Sequence, residues 1–273
     1  MKTQWAVEPD LDWADHFVKY GYAVVEKLID EEFIAQSLAE VRALVGSDLP
    51  FEQWHKDNVP SLHGSKIEAA HKVYEQPGVR AVIDRMFGAP ERFSDDSYGT
   101  LFMTLHDAAA QPARRTKGHI DFVNKPIPAL GRGFVTQIAL LDREPFGGNI
   151  TIWPSTHRLV QQAVINDAEW RFPANWDDIP QGEPFEFVAE AGDALLFHHL
   201  VAHGGNPNCT RMPRLNLHCQ CWQDEWLAEI DPEAPNLSPW QRSLALNGYH
   251  AIHENEQAMR QADLDRRREL SVA

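Results

Sequence analysis

Two stretches of this chain hold residues that could do chemistry together. The first is Gly118-His119-Ile120-Asp121. On a strand, residues i and i+2 point to the same side, so the imidazole and the carboxylate can reach one ion. The motif alone is weak. With 13 histidines present, chance placement gives about one His-x-Asp per chain. A second copy, His55-Lys56-Asp57, lies in a polar stretch ending at Pro60 with no strand signal. The second stretch gives the first its weight. It runs from Gly192 through Phe197-His198-His199 to His203, and Arg214 follows eleven residues later. Two imidazoles and one carboxylate on one face of an iron(II) leave three positions open. A 2-oxo acid can take two of them through its keto oxygen and adjacent carboxylate. Its far carboxylate then needs a cation on the next strand, and the planar fork of arginine matches it.

Neighbours compete for these roles. Alternation sends only one of His198 and His199 to a given side, and His203 is the expected ligand. Arg211 is the alternative to Arg214, but Arg214-Leu-Asn-Leu-His-Cys-Gln-Cys-Trp222 alternates like a strand and puts Arg214 at its mouth. His106, His157 and His218 are read as structural. The cluster Arg114-Arg115-x-Lys117 stands just before the first motif. It is either a solvated loop or an anion site in which Arg115 orients a substrate carboxylate or phosphate. Phe122, Trp153 and Trp222 are candidate pocket walls, although aromatics at such places are core at least as often.

The elements that must position these groups can be read from periodicity. Tyr20 to Val25 is a short β-rich run. Asp30 can cap a helix with Phe33, Ile34, Leu38, Val41 and Leu44 on its apolar face, ended by Gly46. A second helix is expected around Gly78 to Phe87, with Gly88 after it. From about residue 97 the period becomes that of strands. They are expected at Tyr98–Leu105, His119–Phe122, Gly133–Leu141, Asn149–Trp153, Phe185–Val188, Asp193–Phe197 and Arg214–Trp222, with turns that include Gly147-Gly148, Gly192-Asp193 and Gly204-Gly205. The expected fold is mainly β with flanking helices around a jelly-roll core. A single domain over 1–273 is expected: helical support over about 1–96, core over about 97–222 with an insertion at 163–182, and a helical extension over about 223–273.

Composition excludes several classes. The 273 residues are 43% hydrophobic and 24% charged, as in ordinary globular chains. The formal charge of −15 repels phosphate backbones and anionic lipid, so no nucleic acid and no membrane is expected as partner. No apolar run reaches membrane-spanning length and the N-terminus is no secretion signal. The three cysteines, Cys209, Cys219 and Cys221, form no disulfide framework. A cytoplasmic protein, monomer or homodimer, is the expectation.

With these residues set out, the chain resembles the phytanoyl-CoA dioxygenase family of iron(II)/2-oxoglutarate oxygenases over about residues 17 to 222. The resemblance is carried by Phe17-x-x-x-Gly21, Gly118-His119-Ile-Asp121, Gly147-Gly-Asn-Ile-Thr-Ile-Trp-Pro154-Ser-Thr-His157, Gly192-Asp-x-x-x-Phe197-His198, His203-x-x-x-x-Asn208 and Arg214. It implies a double-stranded β-helix core, iron(II), 2-oxoglutarate and dioxygen. It implies His119, Asp121 and His203 as iron ligands, Arg214 as the 2-oxoglutarate clamp, and Gln137 and Thr104 as further cofactor contacts. One departure is Pro154-Ser-Thr-His157, where the family has Pro-Gly-Ser-His. Halogenating relatives lack the carboxylate found here at Asp121, so the resemblance favours oxygenation of a small-molecule substrate. Desaturation, cyclisation and epimerisation use the same cofactors. A non-redox jelly-roll binding module and a zinc hydrolase are the alternatives of another class.

Overall fold

The computed structural model describes residues 10–113, 116, 118–121, 133–166, 182–223, 231 and 233–245. The first helix, α1 (Trp13–Tyr20), starts where the Asp12 carboxylate accepts from Ala14 N at 3.0 Å. It stops at Gly21, whose φ of 77° turns the chain directly into strand β1 (Tyr22–Val25). A side chain at Gly21 would collide with His157 and Val201, so the position needs glycine twice over. Helix α2 (Glu31–Val45) follows the sequence rule: Asp30 accepts from Phe33 N at 2.8 Å and Gly46 closes it at φ 69°. Its apolar face ends on Val45, whereas Leu44, expected to be inward, is 52% exposed. Counting i+4 rather than i+3 from Val41 gives the buried position. Helices α3 (Glu68–Lys72) and α4 (Pro77–Phe87) complete the N-terminal layer.

Two antiparallel sheets follow. The larger contains β1, β2 (Tyr98–Thr104), β3 (Gly133–Ala139), β6 (Ala194–His198) and β8 (Arg214–Trp222), in the order β1-β6-β3-β8-β2. The smaller is β5 (Phe185–Glu186), β4 (Ile150–Ile152) and β7 (His203–Gly205), in the order β5-β4-β7. The protein is thus mixed α/β. Helices α1 to α4 pack beside the large sheet, and Phe17, Phe87, Phe134 and Trp240 of helix α6 (Pro239–Ala245) interlock there.

Three local expectations change. Gly204-Gly205 is not a turn but most of β7, because Ile150 and Thr151 of β4 pair with it. Residues 119–121 form no strand among the described residues: His119 makes an isolated bridge to His203 and Asp121 lies in a turn. Thr156–Asn166, with no helix expected, is helix α5, and it runs into the start of the expected insertion. Most of that insertion, like the chain after 245, lies outside the described residues. No described helix is long and apolar enough to cross a membrane, and Cys209, Cys219 and Cys221 are free thiols.

Candidate metal centre and cofactor cavity

His203 sits on β7 between two neighbours that fix its backbone. On one side it pairs with Ile152 of β4. On the other, His119 N donates to His203 O at 2.8 Å and His203 N donates to His119 O at 2.9 Å. This reciprocal pair puts the two imidazoles side by side, with ring centroids 4.5 Å apart. Gly118 makes the approach possible, since a Cβ there would lie 2.8 Å from both His203 N and the Trp153 ring. The Trp-Pro-Ser-Thr-His turn clasps the residue before His203: Trp153 N donates to Ala202 O at 2.9 Å, and Ala202 N donates to Thr156 Oγ at 2.8 Å.

The donor atoms of His119, Asp121 and His203 all lie within 4.8 Å of one another, and this is the one such group among the described residues. His119 Nε2 is 3.7 Å from one Asp121 oxygen, and His203 Nε2 is 3.6 Å from the other. These gaps are too long for hydrogen bonds. Two metal–donor bonds of about 2 Å each span up to about 4 Å, so both His–Asp separations fit a shared ion. His203 Nδ1 donates to Val201 O at 2.9 Å, which commits its proton and turns Nε2 toward Asp121 as a bare lone pair. The side chains grade from open to closed: 55% exposed for His119, 25% for Asp121 and 7% for His203. The second motif copy does not match this: His55 and Asp57 stand 3.7 Å apart on the surface, outside that group.

The triad opens into a cavity of about 660 Å³ between the sheets. Arg214, at the start of β8, enters it from below. Its guanidinium lies against Gly205, two residues from His203, where a Cβ would be only 3.7 Å from Nη1. Arg214 is buried and its Nε has no hydrogen-bond partner among the described residues. Burial lowers its pKa to about 10, still cationic at neutral pH. The offset from His203 to Arg214 is held by two asparagines in the connecting loop. Asn206 Nδ2 donates to Asn149 O and Thr151 Oγ, and Asn208 Nδ2 donates to Thr104 O and Met212 O. A second guanidinium, Arg143, is buried over the Phe187 ring, and none of its three nitrogens has a hydrogen-bond partner among the described residues. Burial lowers its pKa to about 9, and the charge of Arg214 adds to this.

Thr104 and Gln137, the other expected cofactor contacts, both line the cavity. Thr104 is the register partner of Arg214. The Gln137 amide engages Asn216 and His218. Trp153 and Trp222, expected as pocket walls, are buried and not among the lining residues: Trp153 packs under Gly118, and Trp222 pairs with Gly133. Arg115 and Phe122 lie outside the described residues. The cavity also contains residues that the sequence did not single out: His63, Tyr98, Thr100, Phe102 and Gln220. His218, read as structural, is a lining residue too, and burial holds its pKa near 3, so it is neutral. Alternation along β2 and β8 was visible in the sequence, but alternation does not say whether a polar face meets solvent or a cavity.

Comparison with known proteins gives three findings. A profile of the family described as Phytanoyl-CoA dioxygenase (PhyH) matches residues 17–216. Ectoine dioxygenase of Nocardia farcinica (strain IFM 10152) is 27% identical over 227 residues, covering 74% of this chain and 74% of that protein. Two solved structures share the fold. EvdO2 of Micromonospora carbonacea var. aurantiaca, complexed with 2-oxoglutarate, matches at TM-score 0.57 and 16% identity over 86% of this chain and 98% of that one. The epimerase SnoN from nogalamycin biosynthesis, in complex with Fe3+, alpha ketoglutarate and nogalamycin RO, matches at TM-score 0.53 and 17% identity over 77% and 82%.

Proposed function

The chain belongs to the phytanoyl-CoA dioxygenase family of iron(II)- and 2-oxoglutarate-dependent oxygenases, and on that premise we propose that it hydroxylates an unactivated C–H bond of a small soluble metabolite or natural-product intermediate. The observation that carries the reading is the meeting of His119, Asp121 and His203 in one cavity with the buried, underused guanidinium of Arg214. We read the two sheets around that cavity as a double-stranded β-helix.

His119, Asp121 and His203 would hold the metal. Iron(II), 2-oxoglutarate and dioxygen together supply the oxidising power that breaks the C–H bond, with release of succinate and carbon dioxide. The chain's own residues do the rest. His203 keeps its proton on Nδ1 through Val201 O, so Nε2 stays available as a donor. Asp121 would supply the protein's one anionic donor, the carboxylate that halogenating relatives lack. Arg214 would receive the far carboxylate of the cofactor, and Arg143, whose charge acts on Arg214, would add positive potential. Thr104 and Gln137, which line the same cavity, would flank that tail. The polar and aromatic side chains of β2, β3 and β8 that line the cavity would orient the substrate's C–H bond toward the metal. A zinc hydrolase would need the triad but not a buried cation beside it, and a binding module would need neither.

The test is anaerobic loading of the purified protein with iron(II) and 2-oxoglutarate. The expected result is a weak visible charge-transfer band that is absent in Asp121→Ala. No band in the wild-type protein overturns the reading. The relative's name makes ectoine the first compound to assay for stimulated succinate formation, and product analysis separates hydroxylation from desaturation, cyclisation and epimerisation.

A further inference from the structure

The cavity has two walls of different character. On β8 and β3 the polar side chains are closed. Asn216, His218, Gln220 and Gln137 are all buried, and they bond to one another. Asn216 Nδ2 donates to Gln137 Oε1 at 2.9 Å, the Gln137 amide lies 3.2 Å from His218 Nδ1, and the Gln220 amide lies 3.1 Å from His218 Nε2. The oxygens left over, Asn216 Oδ1 and Gln220 Oε1, are sealed from solvent. Phe102 covers this wall further by lying flat on His218, with ring centroids 3.9 Å apart. It offers a ligand shape rather than hydrogen bonds.

Strand β2 is the reverse. Its residues alternate, with Gly99, Leu101 and Met103 buried and Tyr98, Thr100, Phe102 and Thr104 partly open. The buried side packs on α3, where a Cβ at Gly99 would strike Ala70 O. The open side is the one that lines the cavity, so its exposure is exposure to whatever enters there. Tyr98 is 39% exposed. The hydroxyls of Tyr98 and Thr100 make no hydrogen bond among the described residues. Burial, and then the charge of Asp121, raise the Tyr98 pKa, so the phenol keeps its proton and lies within electrostatic reach of the metal site. Thr104 belongs to the other end, as the register partner of Arg214, and Phe102 stands between it and Thr100.

We propose that the hydroxyls of Tyr98 and Thr100 are polar contacts of the substrate, and that they select an uncharged hydroxyl group carried on an apolar frame. The proposal rests on the reading above, in which the Arg214 end takes the cofactor and the substrate enters beside it. Each of these hydroxyls can donate and accept, as a substrate hydroxyl can, so all of them are satisfied together. A charged group finds no partner here. The described residues along this wall include no lysine or arginine, His63 is the one that can take up a proton, and the Asp121 carboxylate is committed to the metal. Stripping water from an unpaired charge costs far more than hydroxyl contacts return. Phe102, next along the same side, supplies the apolar contact.

Probes of one ring size test this: trans-1,2-cyclohexanediol, cyclohexylammonium and cyclohexanecarboxylate. The full-length protein is labelled with 3-fluorotyrosine, and the Tyr98 resonance is assigned with Tyr98→Phe. Zinc(II) and 2-oxoglutarate are added to fill the other end. A saturable fluorine shift with the diol, and none with either ion at matched ionic strength, is expected. No saturable shift with the diol, or a shift of equal size with either ion, overturns the proposal. Diol affinity should fall by about fivefold in Thr100→Val, the worth of one hydrogen bond, and stay within about twofold in Gln220→Met on the closed wall. No fall in the first variant, or a fall of that size in the second, overturns the choice of wall. Calorimetry follows 2-oxoglutarate binding separately. Its absence in the wild type would sink the functional reading, while the fluorine titration, repeated without cofactor, would still decide which wall meets the ligand.

Discussion

This protein holds two groups of histidines, and they do opposite things. His119 and His203 converge on the Asp121 carboxylate at the cavity. His157, His198 and His199 gather behind β6, all buried, with ring centroids 5.3 Å apart for 157–198 and 4.7 Å for 198–199. Trp240 stacks on His198 at 4.7 Å. In the second group ring faces meet, not lone pairs. His198 Nδ1 accepts from Leu200 N, and His199 Nδ1 donates to Gly133 O. Burial pushes His157 to about 3 and His199 to about 4, and holds His198 well below its usual value. The first group joins imidazoles to a carboxylate and an opening; the second uses imidazoles as neutral aromatic packing. Histidine count alone does not distinguish them. Convergence with a carboxylate does.

The largest effect should come from the cavity group. Asp121→Ala or His203→Ala should abolish tight iron binding and lower 2-oxoglutarate turnover more than about a hundredfold, since partners one shell further out already cost 10- to 100-fold. Metal titration and succinate release check this. His198→Phe should leave metal affinity within about threefold; a loss as large as that of His203→Ala would erase the distinction between the groups.

Arg214→Met should weaken 2-oxoglutarate binding by about a hundredfold, the scale expected when one partner of a buried charge pair is removed. It should not lower the melting temperature of the cofactor-free protein, because the guanidinium is buried with its Nε unpartnered. A lower melting temperature would mean that Arg214 is structural.

The buried group should dominate acid stability. A base whose folded pKa is depressed leaves the folded chain unprotonated while the unfolded chain gains a proton below about pH 6.5. Stability is therefore full above that value and falls as pH drops toward about 4, by about 1.4 kcal/mol per pH unit for each histidine held neutral. Denaturant titrations from pH 7.5 to 4.5 on metal-free protein should show the decline equally in wild type and Asp121→Ala. Its disappearance in Asp121→Ala would assign it to the cavity. His157→Phe should lessen the slope by the share of one histidine, about 1.4 kcal/mol per pH unit, leaving the shares of His198, His199 and His218.

The smallest effect concerns the turn between the groups. Ser155 holds φ 66°, a left-handed conformation that glycine adopts freely. Ser155→Gly should stabilise by up to about 1 kcal/mol, read from denaturant midpoints, with metal affinity unchanged.

Much of this was legible in the chain itself. Asp30 and Gly46 bracket a helix because a side-chain acceptor and a left-handed glycine are local requirements. The strand runs 98–104, 133–139 and 214–222 were visible as alternation. The spacing of His119, Asp121, His203 and Arg214 pointed to one site, and their side chains do meet around one cavity. Other features were not legible. β7 contains two glycines with no strand propensity, and pairing with β4 alone makes it a strand. His63 reaches the cavity from a loop far from either motif. The helix after Pro154 lacked a recognisable start, because Thr156 spends its hydroxyl on Trp153 and Ala202 instead of on its own helix.

Local chemistry and residue spacing, then, determined which groups could bind a metal and a dicarboxylate, and where helices begin and end, because those depend on neighbours within a few positions. Tertiary packing alone decided which histidines face a carboxylate and which face a tryptophan. It also turned the polar stripe of β8 inward, because whether a strand face meets water, core or cavity depends on what the rest of the chain lays over it.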